Sequence, residues 1–306
     1  MVGFYLKEKC MDKITFVAKL LDFLRFLQKK TVLLAPLWLL VIALSGVFEL
    51  ASAPNRPEEV SKTMLVNVDS WDRSQDMTTD GRNFWFSSKY GLIKTELDCE
   101  TLSLRNSDAI PKDFVENFGS AHIGGISYYK DKLYCAVEDS KVWQHPLILV
   151  YNPHTLEYTG EYYHLDPEKH TKGLPWIAVD PDSGVVYTSS RDNSTEIMRY
   201  DTKTQQYLES ITLVNPDKDF NIHKIQGGEV SDGVLYLATN NETQAVYSVE
   251  LASGKAEKLF DRNLFSGSEG EGIAVLATED GAYLHCMDMS PVFLSCYVRH
   301  FALPTD

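Results

Sequence analysis

Five times after residue 75 the chain repeats an apolar strand, a turn and a second strand carrying an aromatic or aliphatic anchor. The second strands read FWFSS, LYCAV, VYTSS, LYLAT and YLHCM. Their aligned anchors, Phe84, Tyr134, Tyr187, Tyr236 and Leu284, lie 50, 53, 49 and 48 residues apart. A fixed period of this length means that each copy is one supersecondary unit unable to bury its apolar face alone, so the copies must stack. Because every copy is built from strands, the expected fold is an all-β β-propeller of five blades. Six blades is the alternative, if the irregular stretch 101–121 or 157–172 conceals a further unit.

The turns agree with this reading. Lys130-Asp131, Asp182-Ser183-Gly184, Asp232-Gly233 and Asp280-Gly281 are tight hairpin signals, because Gly and Asp tolerate positive φ. The last unit stops soon after its third strand, and a spare strand, KTMLVNV, lies at 62–68. Pairing that strand with the end of the chain would close the ring and remove the open edges of a circular array.

The formal net charge of −14 is unevenly spread. Residues 1–30 carry seven basic and three acidic side chains, leaving a strongly acidic remainder. Such a body argues against sequence-independent nucleic-acid binding, which needs Lys and Arg to displace counterions. Thr31 to Phe48 form an uncharged run of 18 residues, preceded by Lys29 and Lys30, and long enough to span a bilayer as a helix. The basic flank places that end in the cytoplasm and the repeats outside. The expected organisation is therefore a cytoplasmic amphipathic segment (1–30), a transmembrane signal anchor (31–48), a polar stalk (49–61) and the propeller (62–306). The alternative is a secreted protein cut near Ala53, after the small residues Ala51-Ser52-Ala53.

Outside the cell, disulfides and glycans become relevant. Cys286 and Cys296 fall on strands expected to be adjacent and form the candidate pair. Asn193 and Asn241 open two glycosylation sequons.

Loops entering the inner strands and loops leaving the second strands open on one face of such a ring. The first set carries Asp76, His122, Gln226, Glu269 and Glu271; the second carries Glu138, Asp139, Arg191, Asp192, Asn240 and Asp288. Recurrent carboxylates and amides at equivalent positions suit a hard cation such as Ca²⁺, which takes six to eight oxygens. Glu138, Asp192, Asn240 and Glu271 are the candidate ligands, and His122 is the candidate base. No Gly-x-Ser-x-Gly elbow, Walker loop or His-Glu-x-x-His motif occurs in the chain.

The Gly-Gly pairs before inner strands (Gly124-Gly125, Gly227-Gly228), the Asp-Gly hairpins and endings such as Tyr200-Asp201-Thr202-Lys203-Thr204 resemble a broad propeller group. That group includes the NHL-repeat, YVTN-repeat and SMP-30/gluconolactonase-like proteins. The similarity covers about residues 62–304 and marks architecture. The SMP-30-like members imply a divalent metal held by oxygen ligands from several blades. A five-bladed propeller behind a membrane anchor also looks like the calcium-activated nucleotidases, with no residue motif here to carry their activity. The expected function is a membrane-displayed module binding a small molecule or protein; the alternative is a metal-dependent lactonase or esterase acting at the central tunnel.

Overall fold

A computed structural model of the chain describes residues 35–51, 59–66, 68–140, 142–192, 195–215 and 222–303. Within them, twenty strands form five four-stranded antiparallel sheets. Blade one contains β2–β5 (Met77–Thr79, Phe84–Ser87, Leu92–Thr95, Leu102–Asn106), and blade two contains β6–β9 (His122–Tyr129, Lys132–Glu138, Leu147–Tyr151, Tyr158–His164). Blade three contains β10–β13 (Ala178–Val179, Val185–Thr188, Glu196–Asp201, Tyr207–Thr212), and blade four β14–β17 (Ile225–Ser231, Val234–Thr239, Val246–Glu250, Ala256–Phe260). Blade five joins β18–β20 (Glu269–Val275, Leu284–Met289, Ser295–Phe301) to β1 (Glu59–Val66), from the other end of the described chain. In that pair Met64 opposes Tyr297 and Leu65 opposes Cys296. The inner strands β2, β6, β10, β14 and β18 each touch the next around a ring.

Side-chain alternation explains why the blades stack. Phe84 and Phe86 pack toward blade five, whereas Trp85 between them packs toward blade two. Leu133, Cys135 and Val137 face blade one, and Tyr134 and Ala136 face blade three. With a period of two, both sides of each sheet are apolar, so five separate cores fill the five interfaces.

This alternation shifts the expected alignment at both ends. Tyr134, Tyr187 and Tyr236 face the next blade, whereas Phe84 and Leu284 face the preceding one. Their structural equivalents are Trp85 and His285, opposite Thr78 and Ala274 as Tyr134 is opposite Ser127. Six blades are not formed by the described residues. The two suspect stretches hold outer strands β5 and β9, whose mixed or exposed side chains hide their strand character, and a short helix, α1 (Lys112–Phe118), which buries Phe114 and Val115.

The expected Cys286–Cys296 disulfide is absent; Cys99, Cys135, Cys286 and Cys296 are all free. The strands are adjacent, but register places Cys286 opposite Arg299 and Cys296 opposite Met289. Cys286 then packs toward blade four and Cys296 toward blade one, on opposite sides of the sheet.

An apolar helix, α2 (Ala35–Ala51), precedes the blades, and Tyr297 Oη donates to its Ser45 carbonyl at 3.0 Å. Among the described residues no helix is long and apolar enough to cross a membrane. The expected span at 31–48 begins before the described helix, and the amphipathic segment 1–30 lies outside the described residues, as does most of the stalk.

Candidate functional site

The inner strands begin around one end of the ring, and what each blade places there follows from register. Gln75, Gly124, Pro175, Gln226 and Glu271 occupy equivalent positions, three residues before Thr78, Ser127, Ala178, Glu229 and Ala274. Inner strands β6, β14 and β18 each shift register near this level, so they turn there as bulged strands do. One layer deeper lie Asp76, Gly125, Trp176, Gly227 and Gly272. The glycines are required by close approach: a Cβ on Gly125 would lie 2.4 Å from Trp176 Cα, and one on Gly272 only 2.1 Å from Asp76 Oδ1. Asp76 and Trp176 fill the space that the glycines leave.

Asp76 ties three blades together. Its Oδ1 accepts from Met77 N (2.8 Å) and Ile273 N (3.3 Å), and its Oδ2 from Ile126 N (3.0 Å). Burial still pushes its carboxyl well above the usual range, against the pull of those N–H donors. Deeper again, Glu229 is raised to about 8 by burial, although Thr78 donates to it.

Above this packed layer opens a cavity of about 260 Å³. It is lined by His122, Glu138, Gln75, Gln226, Glu269 and Glu271 together with Trp143, Lys172, Arg191, Ser140 and Pro175. His122 Nε2 is hydrogen-bonded to Gln75 Oε1 at 2.7 Å, while its buried Nδ1, 3.1 Å from Glu138 Oε1, makes no hydrogen bond. The other Glu138 oxygen accepts from Leu174 N at 2.8 Å. That contact depends on Gly173, in a left-handed conformation (φ 90°), where any Cβ would strike Glu138 Oε2. Across the cavity, Glu271 is buried, and burial followed by the neighbouring Glu269 carboxyl raises it well above the usual carboxylate range. Gln226 Nε2 lies 3.5 Å from its Oε2.

Of the four expected metal ligands, Glu138 and Glu271 share this cavity and the other two do not line it. Asp192 is exposed, and Asn240 Oδ1 accepts from Gly270 N at 3.1 Å. Among the described residues no three His, Cys, Asp or Glu side chains converge as metal ligands. Asp288, also expected at this face, is bound by Arg299 Nε at 2.7 Å.

The sequons are distributed differently. Asn193 lies outside the described residues. Asn241 is buried; its Nδ2 donates to Tyr247 Oη at 3.0 Å and its Oδ1 accepts from Ala245 N at 3.0 Å, leaving no room for a glycan in this conformation. Sequence reading found His122, Gln226, Glu269 and Glu271 at the cavity but gave no role to Gln75, Ser140 or Lys172. Trp143 also lines the site, whereas Trp85 and Trp176 are buried packing.

No protein-family model matches the chain, and no curated protein matches its sequence. Among solved structures, the chain is similar to the glutaminyl cyclase of Myxococcus xanthus, with a TM-score of 0.55 and 9% identity. The likeness covers 81% of this chain and 97% of that one. At that identity it shows a shared β-propeller fold.

Proposed function

We propose that this propeller binds a small polar molecule in the cavity where its inner strands begin. One observation carries the reading: buried Glu138 and Glu271, with Glu269, His122 and two glutamines, converge on a single concavity that opens to solvent. Concave sites with a few convergent polar groups and perturbed acids are where ligands bind. At about 260 Å³ the cavity is smaller than the roughly 300–1,000 Å³ of drug-sized sites, which favours a small ligand over a protein surface.

A second reading, acid–base catalysis without a metal, is favoured by His122 and Glu271. His122 is held by a hydrogen bond from Nε2 to Gln75, and its buried Nδ1 lies 3.1 Å from the Glu138 carboxylate. Burial, and then the neighbouring Glu269, push the Glu271 carboxyl well above the usual carboxylate range, the direction a general acid needs. The similar fold of a glutaminyl cyclase supports testing cyclisation of glutaminyl peptides alongside ester and lactone hydrolysis.

The membrane anchor remains part of the proposal. Helix α2 bares Leu39, Leu40, Ile42 and Val47, and its uncharged composition suits lipid contact. Membrane fractionation with protease protection tests it: release by salt alone would remove the anchor, and protection of the propeller in intact cells would reverse its side.

The site itself is tested by calorimetric screening of small amines, acids, amides and lactones against the full chain, with and without EDTA. Hits weakened by His122→Ala and by Gln226→Ala support the cavity. Turnover abolished by His122→Ala and by Glu271→Gln, and unaffected by EDTA, supports the catalytic reading; loss with EDTA contradicts it.

A further inference from the structure

The cavity is divided by charge. Its floor is acidic, formed by Glu138, Glu269 and Glu271. Its rim carries two exposed cations, Lys172 from the segment between blades two and three, and Arg191 from the loop after β11. Among the described residues neither cation has a carboxylate partner. The Lys172 ammonium lies 5.3 Å from the centre of the Trp143 ring, and the Arg191 side chain makes no ion pair. In a chain of net charge −14, two cations without a carboxylate partner that line one cavity offer a site for an external anion.

The floor has complementary chemistry. Glu138 Oε1 lies 3.1 Å from His122 Nδ1, and Glu269 and Glu271 line the same small space, so the cavity is rich in carboxyl oxygens. A donor-rich group suits that end, and an ammonium supplies three N–H donors. The indole of Trp143 also lines the cavity, beside Lys172, and gives the body of a ligand an apolar wall.

We propose that the ligand is a small zwitterion of the amino-acid class, its carboxylate bound by Arg191 and Lys172 and its amino group by the acidic floor. This rests on the cavity being the binding site. Ligands with only one of the two charged groups fill half of the recognition and bind more weakly.

The test is isothermal calorimetry on the purified full chain, using the twenty L-amino acids, each with its decarboxylated amine and its desamino acid. At least one amino acid is expected to bind, and removal of either charged group should weaken it roughly tenfold or more. Arg191→Ala combined with Lys172→Ala should weaken the amino acid by a similar factor and leave the amine unchanged. Both residues are exposed, so the melting temperature reports that the variant is folded. Glu269→Gln should weaken the amine and spare the desamino acid. An amine that binds as tightly as its amino acid, an affinity unchanged in the Arg191/Lys172 variant, or no amino acid bound at millimolar concentration overturns the zwitterion. If a compound of another class binds and is weakened by Gln226→Ala, only the ligand class falls. If nothing that the protein binds responds to His122→Ala or Gln226→Ala, the cavity reading falls as well.

Discussion

Thr78 Oγ1 donates a 2.8 Å hydrogen bond to Glu229 Oε2, and since Thr78 belongs to blade one and Glu229 to blade four, the bond crosses the centre of the ring between non-neighbouring blades. It also sets a pH dependence. Glu229 titrates near 4.5 when unfolded and near about 8 when folded, so the folded state holds a proton that the unfolded state has released. Stability is greatest below the unfolded value, falls as pH rises between the two, and levels off above the folded one.

Glu229→Gln keeps an acceptor for Thr78 and removes this titration. Urea midpoints measured from about pH 5 to about pH 8 should fall less steeply in the variant, with a gain on the order of a few kcal/mol at the upper end. Part of the slope will remain, because Asp76 and Glu271 are raised in the same direction. A slope as steep as that of the parent would mean that Glu229 is charged in the fold.

Gly272→Ala forces a methyl group to 2.5 Å from Asp76 Cα, a contact with rigid backbone. A loss of about 1–3 kcal/mol is expected from this overpacking. Because the added atom also meets Asp76 Oδ1 at 2.1 Å, Gly272→Ala and Asp76→Ala should couple in a double-mutant cycle. Strict additivity would show that the two blades move apart instead.

Leu65 is the buried residue through which β1 enters the core shared by blades five and one. Leu65→Ala should cost about 2 kcal/mol or more. Amide exchange in β20, which pairs with β1, should accelerate ahead of exchange in β7. Equal acceleration everywhere would show that β1 frays only with global unfolding.

The four described cysteines should show no disulfide. Burial pushes the Cys99 and Cys286 thiols up to about 12, so alkylating reagents should react slowly with the folded protein and promptly after unfolding. Dithiothreitol should leave the melting temperature unchanged. A cysteine that labels only after reduction of the unfolded chain would contradict the free thiols.

The second and third strands of each blade were legible because both faces are buried, giving dense apolar runs such as LYCAV and LILVY. Outer strands such as Tyr207–Thr212 face solvent and lose that pattern, so four of them were not located by sequence. The one-residue misalignment of Phe84 and Leu284 has the same origin: with apolar side chains on both faces, periodicity does not mark which face is which. At the site, His122, Gln226 and Glu271 at the start of inner strands were legible from repeat position, whereas Gln75 was not. Lys172 and Gly173 were not, because they lie in the connection between blades, where no repeat position marks them. Asp192 and Asn240 were proposed because loops at equivalent positions look alike in sequence, whereas their distance from the axis depends on the path of each loop.

The pairing of β1 with β20 sets a timetable for synthesis. Residues 59–66 leave the ribosome long before their partner at 295–301. Until then blade five has neither its third strand nor its fourth, and β1 waits with both edges unpaired. A nascent chain of this design is exposed to pairing with other chains until residues 295–301 emerge, and chaperone demand should fall once they have.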